Sequence, residues 1–274
     1  MTDVMSIRQR IAEELQVSAT FDAAEEIERR VVFLADRLVD TGLTTLVLGI
    51  SGGVDSTTTG RLCQLAAERA RAAGHPAVFV AMRLPYGVQA DEHHAQAALA
   101  FIRPDRLLTV DVKPAADAAL DALVAAGLTF RDAAQQDFVL GNVKARQRMI
   151  AQYAVAGAAG GLVVGTDHAA EAVTGFFTKH GDGAADLVPL TGLTKRRVRA
   201  LAAALGAPAE LVGKAPTADL ESLAPGKLDE DALGLAYEHI DDYLEGRPVP
   251  AEVEAALVER YRATEHKRQL PIAP

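Results

Sequence analysis

The sequence predicts an α/β fold, a parallel sheet with helices on both faces. Two observations carry this. Short β-branched and apolar runs alternate with helical stretches from the first third of the chain to about residue 175. Each run is also apolar almost throughout, as in strands buried on both faces. Crossovers between such strands should be right-handed. Strand order is not readable from the pattern.

The elements follow in chain order. Residues 5–16 and 22–40 have helical periodicity; in the second, Ile27, Val31, Leu34 and Leu38 recur at three- and four-residue steps between Glu and Arg. TTLVLGI, 44–50, reads as a buried strand. A helix from about Ser56 to Ala73 stops at Gly74. AVFVAMRL, 77–84, is the second strand and ends at Pro85-Tyr86-Gly87. A helix over 91–102, a strand LLTVDV over 107–112, and helices over 114–126 and about 133–158 come next. GLVVGT, 161–166, is the fourth strand, with a short helix beginning near Ala169. Beyond residue 178 the texture changes to a glycine-rich loop, the helix TKRRVRALAAALG, a long loop KAPTADLESLAPGKLDE, and helices around 229–245 and 250–263. No repeat and no long linker divides the chain, so 1–274 reads as a single domain with a C-terminal helical extension.

Composition narrows the function. The 274 residues are 49% hydrophobic, enough for a sizeable core. The formal charge of −9 disfavours a general nucleic-acid binder, which needs Lys and Arg to neutralise phosphates. The lone Cys63 excludes an intrachain disulfide and a cysteine-based zinc site, and fits a reducing, cytoplasmic compartment. Cys63 lies among Leu62, Leu65 and Ala66 and reads as a small buried hydrophobe. The N-terminal MTDVMSIRQRIAEELQV lacks an apolar core and reads as a helix, not a signal peptide. No apolar run approaches membrane-spanning length.

Ligands in such sheets bind beyond the carboxyl ends of the strands. The first of these ends carries SGGVDS, 51–56, between a strand and a helix. Gly52 and Gly53 allow close backbone approach to a ligand, the helix start supplies open N–H groups, and Ser51, Ser56 and Thr57 supply hydroxyls. The plain alternative is a helix start capped by Ser and Asp. The loop has no lysine, so it is not a P-loop, and its glycine spacing is not that of a dinucleotide fingerprint. Charge neutralisation must come from elsewhere, and Asp55 can hold Mg²⁺ against phosphates.

SGGVDS after a strand resembles the pyrophosphate-gripping loop of the N-type ATP pyrophosphatases, whose fold is Rossmann-like. Longer strings narrow the group: MRLPYGVQADE (82–92), GNVKARQRM (141–149), GTDHAAEAVTGFFTKHGDGAADLVPLTGLTK (165–195), PTADL (216–220), DDYLEG (241–246) and TEHKRQLP (264–271). Together, from about residue 5 to the end, the chain resembles the ammonia-dependent NAD⁺ synthetases. The resemblance implies a ligase that forms a C–N bond at the final step of NAD⁺ biosynthesis. The nicotinate carboxylate of deamido-NAD⁺ attacks the α-phosphate of ATP, pyrophosphate leaves, and ammonia converts the acyl-adenylate to NAD⁺ and AMP.

The resemblance also implies residue roles. Gly49, Ile50, Ser51, Gly52, Gly53, Val54, Asp55 and Ser56 form the ATP loop. Asp55 and Glu171 hold Mg²⁺. Thr166, Lys195 and Thr217 contact ATP, and Arg83 adjoins the nucleotide. Arg146, Lys179, Asp186, His266 and Lys267 contact deamido-NAD⁺. Asp55, Glu171 and Lys195 are the catalytic set, with ATP and Mg²⁺ as cofactors and a homodimer as the assembly. Singly, each has a plainer reading: Arg146 a solvated helix face, Glu171 a first-turn acid favoured by the helix dipole, Lys195 a basic helix start, His266 and Lys267 tail residues. The run of matching strings outweighs these.

Two readings compete with the ligase. A tRNA-modifying pyrophosphatase shares the loop, but the acidic balance and single cysteine disfavour it. A non-catalytic nucleotide sensor would not keep Asp55, Glu171 and both anion-binding lysines. Asp167 and Asp186 are open as the base that takes a proton from ammonium. The helix around 138–158 is expected to supply the dimer contact, and segments 85–91 and 206–226 to order on binding. Asp55→Asn is expected to abolish adenylation and leave the fold intact.

Overall fold

The computed structural model describes residues 5–87, 92–217, 223, 226–269 and 271. Its sheet has four parallel strands in the order β3-β2-β1-β4: β1 (Thr45–Gly49), β2 (Val78–Arg83), β3 (Arg106–Thr109) and β4 (Gly161–Val163). The chain builds outward from β1 to β3, then returns to place β4 on the other side of β1, pairing Thr45 with Gly161 and Val47 with Val163. Connections leave β1 in opposite directions, so a crevice opens beyond the carboxyl ends of β1 and β4.

Strand side chains alternate between two layers, which is why the strands read as continuous apolar runs. Leu46, Leu48, Phe79 and Ala81 join α2 (Ala23–Thr41), α3 (Val54–Ala72) and α8 (Lys195–Ala204) on one face. Val47, Val80, Met82 and Val163 pack on the other face, covered by α6 (Ala133–Ala159), against which α5 (Lys113–Ala125) packs in turn. α4 (Glu92–Ile102) and α9 (Ala209–Val212) complete the first layer through Leu99, Ile102 and Leu211. α2 begins where the Asp22 carboxylate accepts the N–H groups of Ala24 and Glu25, both at 2.9 Å.

Cys63 is fully buried in the α3 layer, and burial pushes its thiol far up. A thiol reagent is expected to leave native protein unlabelled at pH 8 and to label one thiol per chain in denaturant. Rapid native labelling would mean that this layer opens readily.

A third apolar cluster lies by the strand ends. It joins α1 (Ile7–Glu14), α7 (Ala169–Thr174), α10 (Asp229–Leu233), α11 (Tyr237–Leu244) and α12 (Ala251–Ala263) through Ile11, Val173, Leu233, Ile240 and Leu257. α13 (Glu265–Arg268) follows directly.

Four boundaries differ from the sequence reading. The helix expected over 229–245 is two, α10 and α11, because Gly234 turns the chain at φ +62°. The fourth strand is three residues long; beyond it Val164 bridges to Leu187, which comes in parallel from the glycine-rich loop. The third strand starts one residue earlier and ends at Thr109. α3 starts at Val54, two residues before the expected start, which puts Asp55 inside its first turn. Of the segments expected to order on binding, 206–226 begins with α9, whose Leu211 is fully buried. Residues 88–91, 218–222, 224 and 225 of those segments lie outside the described residues. Among the described residues no helix is long and apolar enough to cross a membrane.

Candidate active site

A cleft of about 290 Å³ lies at the crevice between β1 and β4. It brings together Gly49, Ile50, Ser51, Gly53, Val54, Asp55, Ser56, Arg83, Thr166, Glu171, Lys195 and Thr217, which the sequence spreads over 169 positions (49 to 217, inclusive).

Both readings of SGGVDS have a counterpart in the loop after β1: Ser51 Oγ accepts Gly53 N–H and Ser56 Oγ accepts Ser51 N–H, each at 3.3 Å. The N-cap of α3 is Gly53, with no side-chain cap. The start of this 19-residue helix is therefore open to an anion, with the positive end of the dipole behind it. Ser51 and Ser56 line the cleft, their hydroxyls 3.1 Å apart. One expectation needs correction. Thr57 is fully buried and donates to Gly53 O at 2.7 Å, so it is no ligand hydroxyl. At Gly52 a Cβ would lie 2.7 Å from Ala95 N, so this glycine admits the backbone of α4. Arg83 lines the cleft and is buried; its guanidinium donates to Ile50 O and, at 2.5 Å, to the Glu92 carboxylate.

The charged centre combines three helix starts. Asp55 is in the first turn of α3, Glu171 in the first turn of α7, and Lys195 is the first residue of α8. Lys195 Nζ donates to Asp55 Oδ2 at 2.7 Å. The Lys195 side chain is 1% exposed, those of Asp55 and Glu171 18% and 17%. Burial favours neutral Asp55, but the Lys195 ammonium outweighs it and holds this carboxyl below its usual range. Burial, then the nearby Asp55 charge, pushes Glu171 well above the usual range. Burial, then Asp182 and Asp55, pushes Asp167 up to about 8. Asp55, Glu171 and Asp167 thus crowd acid around Lys195.

That crowding is what a divalent cation offsets. Ligand atoms of Asp55, His168 and Glu171 lie within 4.8 Å of one another. Asp55 Oδ1 is buried and has no hydrogen-bond partner, an acceptor still to be used. The donor set suits a hard cation bound through carboxylate oxygens.

His168 belongs to this centre, and the residue-by-residue reading passed over it. It caps α7, Nδ1 accepting Glu171 N–H at 3.4 Å. Its Nε2 is 3.5 Å from both Asp55 Oδ1 and Glu171 Oε1 and 3.4 Å from Lys195 Nζ. Burial, then Lys195, lowers its pKa to about 3. The unfolded chain takes up this proton near pH 6.5 and the folded one near 3, so His168 costs stability as pH falls through that window. His168→Asn keeps a cap acceptor and is expected to flatten this acid limb by about 2.7 kcal/mol between pH 6.5 and 4.5. Denaturant unfolding of metal-free protein at pH 7.5, 5.5 and 4.5 measures it; parallel pH slopes for the two proteins would contradict it.

Four of the five residues expected to contact deamido-NAD⁺ meet beside the cleft. Arg146 on α6 donates to Lys179 O at 3.2 Å, and Lys179 Nζ to His266 O at 2.5 Å. Lys267 Nζ donates to Gly175 O and Phe177 O at 2.8 and 2.9 Å, so His266 and Lys267 sit on an anchored helix, not a loose tail. Asp186 stands apart: it accepts Val163 N–H at 2.7 Å and Tyr153 O–H at 3.3 Å, clasping the end of β4. Arg148, Gln152, Asp182, Lys214 and Asp229 also line the cleft and were not singled out. Gln152 accepts Gly49 N–H at 2.9 Å and so steadies the loop. Arg148 and Gln152 are one turn apart on α6, a spacing visible in the sequence, but nothing local says which face of α6 meets the cleft.

Comparison with known proteins shows the family and agrees with this fold. The NAD synthase family model matches residues 26–271. The NH₃-dependent NAD⁺ synthetase of Streptomyces coelicolor is 74% identical over 270 residues, 98% of each chain. The crystal structure of NAD⁺ synthetase from Burkholderia pseudomallei superposes with a TM-score of 0.84 at 64% identity, covering 96% of each chain. The NMN synthetase of Francisella tularensis has a TM-score of 0.81 at 32% identity, covering 93% of this chain and 99% of its own.

Proposed function

This chain belongs to the NAD synthase family, and from that premise we propose how its cleft turns deamido-NAD⁺, ATP and ammonia into NAD⁺, AMP and pyrophosphate. The observation that carries the reading is the uncapped start of α3 facing the Asp55–Lys195–Glu171 centre across one cleft. Residues 1–274 act as one domain.

ATP enters with its β- and γ-phosphates on the N–H groups of the α3 start and the hydroxyls of Ser51 and Ser56. Lys195 lends a fixed positive charge, Thr166 and Thr217 flank the nucleotide, and Arg83 holds the Ile50 turn. Mg²⁺, held by Asp55 and Glu171, would offset phosphate charge as pyrophosphate departs. A carboxylate acylates poorly until its oxygen becomes part of a good leaving group, so the chain's task is to position two anions and offset their charge. Arg146, Lys179, His266 and Lys267 receive deamido-NAD⁺ from the side. Asp186 supports that wall through β4.

Of the two bases left open, we favour Asp167. Asp167 is half-buried near Asp182, which lines the cleft, and its pKa of about 8 suits exchange with ammonium near neutral pH. Asp186 is already held by β4.

The assembly we propose is a cytoplasmic homodimer that uses free ammonia and needs neither nucleic acid nor membrane. Leu123 and Val124 on α5 and Phe138 and Ile150 on α6 are large, apolar and exposed, as an unpaired interface would be. Sedimentation is expected to give twice the chain mass of 28.9 kDa; a monomer at micromolar concentration would contradict the dimer.

Purified protein with deamido-NAD⁺, ATP, Mg²⁺ and ammonium should yield NAD⁺ and AMP in equal amounts. ADP as product, or glutamine replacing ammonium without loss, would overturn the reading. Running nicotinate mononucleotide in parallel tests the acceptor: faster turnover of the mononucleotide would move it toward the activity named for the Francisella relative.

A further inference from the structure

The string DDYLEG supported the family resemblance, yet none of its residues has a role in the reaction. The fold places it against the helix that carries Lys195. Asp241 and Glu245 are one turn apart on and just beyond α11. Asp241, 2% exposed, accepts Lys195 N–H at 2.9 Å on one oxygen and Arg196 N–H at 2.7 Å on the other. Glu245 accepts Thr194 O–H at 2.7 Å and Arg196 Nη1 at 2.9 Å. Thr194, the N-cap of α8, accepts Arg197 N–H at 3.3 Å.

The first turn of α8 is therefore capped twice. Thr194 supplies the local cap, and Asp241 a second one from a helix that follows 45 residues later. A helix start normally takes its cap from the residues just before it. A carboxylate brought in from another helix also fixes where that start sits relative to its neighbours. Here the start is the backbone of Lys195 itself, whose ammonium meets Asp55 at 2.7 Å at the far end of the side chain. The adjacent face of α11 carries Ile240 and Leu244, which share an apolar cluster with Ala170 and Val173 of α7, the helix that carries Glu171. One helix thus sets the position of both Lys195 and Glu171.

We propose that Asp241 and Glu245 are positioning residues for the ATP step: they act through Lys195, fixing the start of α8 so that its ammonium lies between Asp55 and the phosphates. This rests on the reading of Lys195 as an ATP contact. Neither carboxylate touches substrate.

A double-mutant cycle on the full chain tests it, with ATP, Mg²⁺, deamido-NAD⁺ and ammonium and with unfolding curves for every variant. Asp241→Asn keeps one acceptor and turns an NH₂ toward a backbone N–H. It is expected to lower kcat/KM for MgATP at least tenfold while KM for deamido-NAD⁺ stays within about twofold. In a Lys195→Ala background the same change should cost less than about threefold, because residues that act through one another are not additive. An equal loss in both backgrounds would reduce Asp241 to general structural support and overturn the inference. So would an unchanged kcat/KM in the native background.

If Asp241→Asn does not fold, Glu245→Gln runs the same cycle. A two- to fivefold loss that vanishes with Lys195→Ala is expected, and a loss that persists overturns the inference. Lys195→Ala with full MgATP turnover, or a wild-type protein that releases no pyrophosphate, would overturn the ATP reading first and this inference with it.

Discussion

Asp55→Asn is expected to lower pyrophosphate release from ATP by at least about 10³-fold, the scale on which losing a preorganised charge acts on a transition state. Asparagine supplies no negative charge to a cation and cannot neutralise Lys195. The structure adds a second effect that the loop sequence does not announce. Lys195 is 1% exposed and would lose its 2.7 Å carboxylate partner, and breaking a buried pair on one side costs about 3–5 kcal/mol. Glu171 and Asp167 offset part of this, because removing the Asp55 charge makes their own ionisation easier. The variant should therefore keep the native circular dichroism and unfold with about 3 kcal/mol less stability. Asp55→Asn combined with Lys195→Met, which removes both charges, should regain that stability without regaining activity. An active single variant would remove Asp55 from the catalytic set.

Gly52→Ala is expected to be the second largest change. Gly52 has φ +86°, where an L-residue costs about 1–2 kcal/mol, and its new Cβ would meet Ala95 N at 2.7 Å and His94 C at 2.9 Å. Those atoms are backbone at the start of α4 and cannot rotate aside, so overpacking adds about 1–3 kcal/mol. The sum is about 3 kcal/mol of stability, read by denaturant unfolding. Relief requires the Ser51–Gly53 turn to move away from α4, and a shift near 1 Å at a substrate-positioning loop costs about 100-fold in turnover. A Gly52→Ala protein with wild-type KM for MgATP would mean that this turn is free to adjust.

The difference between these variants shows how far the sequence could be read. SGGVDS offered an anion-binding turn beside the plainer capped helix start, because glycine, hydroxyl and helix-start signals are local. It did not distinguish Gly53, which lines the cleft, from Gly52, which packs against α4. Nor did it show that Thr57 turns inward to Gly53 O. Four parallel strands were legible because apolar runs recur with helices between them. Their order was not, because β4 joins β1 across more than 110 residues of chain. The break between α10 and α11 carried a signal, Gly234, inside a stretch whose helical periodicity ran straight through it.

The sequence by itself determined the element types, the parallel sheet and the family to which the chain belongs, and it offered the ATP loop as a candidate. These follow from patterns a few residues long, or from strings long enough to recognise. Only the tertiary structure decided what the loop faces: Lys195 at Asp55, His168 between two carboxylates, Asp186 turned to the end of β4, and Asp241 capping α8 from another helix. The physical reason is separation along the chain. Residues 55, 168, 195 and 241 meet through the packing of α3, α7, α8 and α11, and no local preference records which helix starts will converge or how much charge they will leave unbalanced when they do.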